Sequence, residues 1–379
     1  MAMPTSVETL RAPLPSRVLV EAPARLHLGF FDLNGSLGRR FGSLGVALDG
    51  LSTRVAVSQG AERPQTCRVR VRPPEGDEKT WGGPAFSHEI QARGPQAERA
   101  TVFARRTLEH LGLKSGVRLQ VEQALAEHVG LGSGTQLALA VGSAVARLHG
   151  LRPTAHEIAI ALHRGQRSGI GIGAFEQGGF LVDGGHDGSA TSAPRVLSRL
   201  EIPTGWRWIL VFDDRHRGLS GAAEKQAFKD LPPFPEAEAA RLCRLMLMQL
   251  LPALAEGDIE RFGQALTSVQ DRVGDYFAPA QGGRYASPSV ASALDHLHRA
   301  GAAAVGQTSW GPTGFALARD IAQARALVAA AAGAPGAGEL RFQIHSARNR
   351  GADVVTHSPS PGIPTDARRY RSVDAATPA

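Results

Sequence analysis

A glycine-rich stretch near the middle of the chain has the residue types and spacing to bind an anion. Residues 128–150 read HVGLGSGTQLALAVGSAVARLHG, with apolar residues at helical spacing after the glycines. Backbone N–H groups and the positive dipole end at a helix start attract phosphate. The stretch therefore predicts a phosphate- or pyrophosphate-binding loop, although the glycines alone also fit an ordinary turn with a helix cap. Its members are Gly130, Gly132, Ser133, Gly134, Thr135 and Gln136.

The loop differs from two common nucleotide-binding motifs. A Walker A loop needs a lysine after its last glycine, and no lysine lies in or just after this loop. The dinucleotide fingerprint G-x-G-x-x-G does not match either, because Gly130, Gly132 and Gly134 give G-x-G-x-G. The strand before the loop alternates apolar and polar residues, whereas a dinucleotide-domain strand is apolar on both faces. The loop therefore belongs to a third type.

The bulk properties of the chain limit its class. With 379 residues, 42% hydrophobic, and no apolar run of roughly 20 residues, it is expected to be a soluble, cytoplasmic protein of two domains. Cys67 and Cys243 lack the spacing of a zinc or redox site. The net charge of +7 comes without a basic run, which argues against nucleic acid as a partner. Only four of the 42 basic residues are lysines, and the arginine fork suits phosphate and carboxylate, so we expect small anionic substrates.

The periodicity along the chain indicates an α+β protein. We predict poorly ordered tails at 1–16 and 352–379, a phosphate-binding domain over 17–200 and an α+β domain over 201–351. The expected strands cover 17–30, 43–50, 53–59, 116–125, 206–213 and 339–345, with a hairpin over 302–319. The expected helices cover 98–113, 154–167, Pro288–Arg299 and Asp320–Ala332, and lie within 236–255 and 258–273.

Three motifs together resemble the GHMP kinase superfamily. The stretch VGLGSGTQLALAVGSAVARL is similar to the motif that wraps nucleotide phosphates in that superfamily, and PARLHLGFFD and VGQTSWGPTGFAL are similar to its first and third motifs. Their order and spacing agree over roughly residues 17–345. The resemblance implies a two-domain fold with an N-terminal ribosomal-protein-like βα domain and a C-terminal ferredoxin-like α+β domain.

Within that superfamily, four stretches resemble the β-ribofuranosylaminobenzene 5′-phosphate synthase family. They are GLGSGTQ, RGQRSGIGIGAFEQGGFLVDGG, GQTSWGPTG and ARNRGADV. The resemblance implies a pentosyltransferase that joins phosphoribosyl pyrophosphate to 4-hydroxybenzoate or 4-aminobenzoate, with loss of CO2 and pyrophosphate, at the start of tetrahydromethanopterin biosynthesis. It also implies a homodimer. The sequence does not choose between the two acids, since either para substituent donates electrons.

One departure from the kinase pattern favours the synthase. Many GHMP kinases have Ser-Gly-Ile-Asp where this chain reads Ser168-Gly169-Ile170-Gly171. The missing carboxylate would serve as a general base, a role typically worth about 10² to 10⁴ in rate. A small-molecule kinase and a non-catalytic nucleotide or sugar-phosphate sensor are the alternatives.

The implied reaction predicts which residues bind its substrates. Mg²⁺ is expected with the pyrophosphate, with no carboxylate pair that identifies its ligands. Phe30, Phe175 and Trp310 are candidates for an apolar wall around the acid. Other substrate-binding candidates are Arg25, His27, Arg164, Arg167, Glu176, Arg215, His216, Ser309, Gly311 and Thr313. Each has an ordinary structural interpretation too: Arg25 and His27 lie on the polar face of a strand, and Trp310 fits a hairpin turn packed on the core. Asp183, Asp213 and Asp214 are compatible either with a functional site or with ordinary solvated positions at the ends of strands.

Overall fold

A computed structural model describes residues 14–60, 89–189, 192–216, 218, 221–333 and 337–358. Most of the predicted N-terminal tail and residues 359–379 of the C-terminal tail lie outside these ranges, as does Cys67. No helix in the described part of the chain is both long enough and apolar enough to cross a membrane.

The N-terminal half supplies six strands of a seven-stranded sheet that is covered by helices. In chain order its elements are β1 (Arg17–Asp32), β2 (Gly42–Gln59), β3 (Ile90–Arg93), α1 (Ala97–His110), β4 (Val117–Gln123), α2 (Ser133–Leu148), α3 (Ala155–Ala161), α4 (Ile170–Glu176), β5 (Phe180–Asp183) and β6 (Val196–Leu200). The main path of the sheet runs through β1, β2, β4 and β3; β5 pairs with β2, and β6 with β5. The alternation predicted for β4 is confirmed, since Val117, Leu119 and Val121 are buried and the residues between them are exposed.

The C-terminal half forms a four-stranded antiparallel sheet with helices on both faces. Its elements are β7 (Arg207–Phe212), α5 (Gly221–Asp230), α6 (Glu236–Leu245), a π-helical turn (Met246–Leu250), α7 (Leu251–Glu256), α8 (Ile259–Gln281), α9 (Pro288–Arg299), β8 (Ala304–Gln307), β9 (Gly314–Ala318), α10 (Ile321–Ala332), a 3₁₀ turn (Ala337–Glu339) and β10 (Arg341–His345). The strand order is β10-β7-β9-β8. The predicted helix over Pro288–Arg299 is confirmed, and Asp320 caps α10 by accepting the amide of Gln323.

Two predictions about strands are wrong. The tail expected from residue 352 begins with a last strand, β11 (Asp353–His357), which pairs antiparallel with Arg17–Glu21 of β1. Its β-branched residues complete the open edge of β1. The two strands expected at 43–50 and 53–59 are one strand, β2. The pairing of β1 with β2 shifts register between Pro23 and Ala24, and this irregularity allows β2 to continue past Gly50, whose φ is +77°.

The largest hydrophobic cluster joins the two halves. Leu26 and Leu28 of β1 belong to it, together with Trp208 of β7 and Phe262 of α8. The opposite face of the second sheet packs on α9 and α10, for example through Ile209 and Leu294. Because α8 packs on both β1 and β8, the middle of β1 lies beside the β8–β9 turn. This contact brings the first and third sequence motifs together.

Candidate functional site

The glycine loop turns the chain into the first turn of α2. Gly130 and Gly132 both have a φ of +82°, which L side chains rarely adopt. Gly132 is the N-cap, and its carbonyl accepts the amide of Thr135 at 3.1 Å. Ser133 and Gly134 therefore begin a 16-residue helix, where N–H groups have no carbonyl of a preceding turn to bind. This geometry suits an anion at the start of α2.

Two elements distant in sequence hold the loop in place. The Arg25 guanidinium of β1 donates to the Gly130 carbonyl at 2.5 Å. The Thr308 hydroxyl donates to the same carbonyl at 2.8 Å and accepts the His27 amide at 2.9 Å. A Cβ on Gly311 would lie 2.7 Å from the Gly130 nitrogen. The three predicted motifs therefore meet at this loop.

Arginines surround the start of α2. A Cβ placed on Gly134 would lie 2.8 Å from Arg99 Nη2 and 3.8 Å from Arg164 Nη1. The Arg164 guanidinium lies 4.9 Å from the centre of the Phe103 ring, and its Nε has no hydrogen-bond partner among the described residues. Burial, with repulsion from Arg99 and Arg106, lowers the pKa of Arg164 to about 10. Arg164 therefore presents a positive charge that no carboxylate among the described residues balances, which suits an anion.

Two further arginines face the same region from the other side. Burial lowers the pKa of Arg25 to about 10, although Glu224 of α5 opposes the shift. Arg167 donates to Glu224 at 2.9 Å, and its guanidinium lies 5.4 Å from the centre of the Phe228 ring. Glu224 therefore links α5 electrostatically to both arginines. Of the cations at this site, Arg99 is not predictable from the sequence, because an arginine in the first turns of α1 has the pattern of a solvated helix face.

The residues around the loop do not fit a metal ion held by protein side chains. Glu127 forms an ion pair with Arg99, and Glu224 with Arg167. Within the described ranges, no group of three or more His, Cys, Asp or Glu side chains has an arrangement that could hold a metal. The carboxylates near the anion site thus balance arginines.

His27 is buried under the β8–β9 turn. Its side chain is 3% exposed, so the polar face predicted for β1 is covered rather than solvated. Burial, with repulsion from Arg25 and Arg167, lowers the pKa of His27 to about 3. Its Nδ1 accepts the Gly29 amide at 3.4 Å, which assigns the single proton of the neutral ring to Nε2. The imidazole is therefore a neutral hydrogen-bond donor.

A cavity with aromatic walls lies between β1, α8 and the β8–β9 turn. Its lining residues are His27, Gly29, Phe30, Gln270, Val273, Gly274, Phe277, Gln281, Arg284, Gln307, Ser309 and Trp310. Trp310 packs against Phe277, with ring centres 4.3 Å apart, and against Phe228 at 5.4 Å. Thr308 separates this cavity from the glycine loop, since it contacts both His27 and Gly130. An aromatic pocket therefore adjoins the anion site.

The other predicted residues of the third motif shape the turn. Ser309 has a φ of +55° and donates its amide to the His27 carbonyl at 3.2 Å. Thr313 is fully buried and its carbonyl accepts the Thr308 amide at 3.1 Å. These bonds fix Trp310, between them, against the cavity.

No carboxylate occupies the position of the kinase base. A Cβ on Gly171 would lie 3.0 Å from Thr135 Cγ2, and Gln136 Nε2 donates to the Gly171 carbonyl at 2.8 Å. The nearby carboxylate of Asp183 is buried, which raises its pKa, and it accepts the amide of Gly169 at 2.8 Å together with the hydroxyl of Ser43. Asp183 therefore holds the loop before α4 in place.

Three predicted substrate-binding residues are not among those that line the cavity, and their role stays a prediction. Phe175 packs in the core of the first domain, and Glu176 lies with Arg147 beside a depression over the C-terminal half of α2. Arg215 pairs with Asp213 and Glu339 at the end of β7. The helical position of Phe175 and Glu176 in α4 directs them away from the start of α2, which the motif alone did not reveal.

Asp213 forms a buried polar cluster that supports the fold. It accepts from Arg215 Nε at 2.8 Å and from Ser287 Oγ at 2.7 Å, and His216 Nδ1 lies 3.0 Å from it. The hydrogen bond from Arg215, followed by those from Ser287 and the Arg215 amide, holds the pKa of Asp213 well below its usual range. This carboxylate therefore contributes stability above the pKa of the unfolded chain, and the contribution is lost as the pH falls towards the folded value.

We expect Asp213→Asn to lower the free energy of unfolding by about 2 kcal/mol at pH 7, because it weakens a buried hydrogen-bonded cluster. The difference from wild type should shrink below about pH 4. Urea unfolding at pH 7 and pH 3 measures both values. The exposed neighbour Asp214 provides the control Asp214→Asn, and an equal loss at the two pH values would contradict the prediction.

Comparison with known proteins identifies the same two-domain fold. The family description "GHMP kinases N terminal domain" matches residues 98–179, and "GHMP kinases C terminal" matches residues 250–337. In solved structures, the fold is similar to homoserine kinase from Cytophaga hutchinsonii (TM-score 0.61, 17% identity, 93% of this chain and 100% of the other). It is equally similar to L. major mevalonate kinase (TM-score 0.61, 15% identity, 90% and 100%). These likenesses establish the fold.

Two curated relatives identify the family to which the chain belongs. The chain is 31% identical over 351 residues to a β-ribofuranosylphenol 5′-phosphate synthase of Methanothermobacter thermautotrophicus, covering 89% of this chain and 98% of the relative. It is 31% identical over 347 residues to the protein of that name from Archaeoglobus fulgidus, covering 88% and 98%. The chain belongs to the β-ribofuranosylphenol 5′-phosphate synthase family and has the GHMP kinase fold.

Proposed function

We propose that this chain is a pentosyltransferase that joins phosphoribosyl pyrophosphate to 4-hydroxybenzoate or 4-aminobenzoate, releasing CO2 and pyrophosphate. The product would enter tetrahydromethanopterin biosynthesis. The observation that carries the proposal is an arginine-lined anion loop beside an aromatic cavity, with Gly171 where a kinase has its base. An anion cradle without that carboxylate suits a reaction in which the anion is the leaving group.

The glycine loop would hold the pyrophosphate as it departs. The amides of Ser133 and Gly134 begin α2, and Arg99 and Arg164 lie beside Gly134. Donors fixed before the reaction stabilise charge that develops on the leaving oxygen without reorganising. Arg25 fixes the loop itself through the Gly130 carbonyl.

The aromatic cavity would hold the acid. Phe30, Phe277 and Trp310 form apolar walls, which favour loss of CO2 because they withdraw water from the carboxylate. Attack comes from the ring carbon that bears the carboxylate, so departure of CO2 restores aromaticity. No proton has to leave that carbon, and the absence of a base at residue 171 fits this chemistry.

Mg²⁺ belongs to the proposal as a companion of the pyrophosphate. The carboxylates near the loop balance arginines, so we propose substrate oxygens and water as its ligands. When bound, the ion would supply positive charge to the pyrophosphate. A homodimer and a cytoplasmic location are also proposed, and sedimentation of the purified protein and cell fractionation test them.

Purified protein mixed with Mg²⁺, phosphoribosyl pyrophosphate and carboxyl-labelled 4-hydroxybenzoate should release labelled CO2. The release should disappear when phosphoribosyl pyrophosphate is omitted. ADP formation from ATP without CO2 would replace the proposal by the kinase alternative. Binding of the sugar phosphate with neither product would favour the sensor.

A further inference from the structure

Two residues that line the aromatic cavity each have a buried side-chain nitrogen without a hydrogen-bond partner among the described residues. His27 is 3% exposed and Trp310 is 4% exposed, and both line the cavity. Neither His27 Nε2 nor Trp310 Nε1 has a hydrogen-bond partner among the described residues. A buried donor left unpaired costs about 1–3 kcal/mol, and two such residues on the lining of one cavity favour a ligand that accepts hydrogen bonds there.

We propose that His27 Nε2–H and Trp310 Nε1–H bind the para oxygen of the aromatic acid and thereby select a hydroxyl over an amino substituent. This inference rests on the proposed function. It assigns the cavity as the binding site of the aromatic acid and names the two groups that contact the substituent at its para position.

Both groups can only donate at these atoms. The Gly29 amide occupies His27 Nδ1, so the neutral imidazole carries its hydrogen on Nε2. Arg25 and Arg167 face His27 and disfavour a second proton. The indole of Trp310 is a donor in every state, and its packing on Phe277 and Phe228 fixes its orientation.

The three glutamine side chains around the cavity already have partners for their amide oxygens. Gln270 Oε1 accepts the Gln307 amide at 2.8 Å, and Gln307 Oε1 accepts the Ala286 amide at 2.7 Å. Gln281 Oε1 accepts from Gln307 Nε2 at 3.2 Å. Arg284 is bound to Asp271 and Asp275. The cavity therefore offers free donors to its ligand.

A donor-only end discriminates between the two acids. A phenolate oxygen accepts two hydrogen bonds, whereas an aromatic amine places its own hydrogens against the donors and shares its lone pair with the ring. The preference is expected to be about tenfold for one such hydrogen bond.

The same contact supports the reaction. The ring carbon bearing the carboxylate forms its bond to the sugar C1 as the C1–O bond breaks, and the pyrophosphate leaves with that electron pair. Electron density from the para oxygenate flows into the ring, and that oxygen gains carbonyl character. The C–CO2 bond then breaks, its electron pair restores the aromatic oxygenate, and CO2 leaves. No proton moves when the acid is bound as the oxygenate, and the two N–H donors stabilise the negative charge that returns to this oxygen as CO2 leaves.

Trp310→Phe and His27→Phe test the proposal, because each keeps a ring and removes the donor. We expect each to raise KM for 4-hydroxybenzoate about tenfold, with KM for phosphoribosyl pyrophosphate changed less than about twofold. The ratio of kcat/KM for 4-hydroxybenzoate over 4-aminobenzoate should fall by a similar factor. Trp208→Phe is the matched control, since Trp208 also has a buried indole N–H without a described partner but lies outside the cavity, in the core against Phe315.

Calorimetry on the wild-type protein provides a second test that needs no variant. It should show 4-hydroxybenzoate binding about tenfold more tightly than 4-aminobenzoate. Equal effects on the two acids, or an unchanged ratio in folded variants, would overturn the assignment of the donors. Absence of CO2 release from the wild type would instead refute the proposed function, and the calorimetric comparison would still decide whether the cavity selects the hydroxy acid.

Discussion

Gly134→Val is expected to lower kcat/KM for phosphoribosyl pyrophosphate by about 10² to 10³, the size of effect seen when a fixed donor to a developing anion is lost. A Cβ at residue 134 already lies 2.8 Å from Arg99 Nη2, so the valine would displace that guanidinium and cover the helix amides. Gly134 lacks a left-handed φ, and the helix should therefore tolerate the substitution. Steady-state kinetics at varied concentrations of phosphoribosyl pyrophosphate measure the loss.

Gly338→Val is the control for this experiment. A Cβ on Gly338 has no atom within 4 Å, and its backbone also lacks a left-handed φ. Its kinetics should equal those of the wild type. Wild-type kinetics in a folded Gly134→Val protein would contradict the proposal that the pyrophosphate binds at the start of α2.

Arg25→Gln is expected to reduce kcat/KM by about 10² or more, because Arg25 both fixes the Gly130 carbonyl and supplies buried positive charge. Arg25→Lys should recover part of the loss, since it keeps the charge but not the planar fork. Kinetics of both variants, with circular dichroism to establish folding, measure the effect.

Arg54→Gln is the comparison for Arg25→Gln. Arg54 lies on β2 and bonds Glu21 of β1 at 2.7 Å, so its removal changes one strand pair without reaching the loop. We expect less than about a twofold change in kcat/KM for that variant. A change below about threefold in folded Arg25→Gln would mean that the loop keeps its shape without the arginine, contrary to the role we give it.

The local elements were predictable because their determinants are neighbours in the chain. Alternation in β4, the capping residues of α9 and α10, and the glycines that open α2 all depend on spacings within about one helical turn or one strand. Residues 353–357 were misjudged, since a short strand at a sheet edge depends on whether another strand offers its open side.

The sequence by itself determined the glycine spacing before α2, the α+β class and the absence of a carboxylate at residue 171, because these follow from residue identity at short spacing. Only the tertiary structure decided that His27 is buried and neutral, that Arg99 lies beside Gly134, and that Glu176 lies over the C-terminal half of α2. It also closed a cavity between β1, α8 and the β8–β9 turn. The physical reason is that burial, pKa and cavity walls depend on which distant segments pack together, and local spacing does not encode that packing.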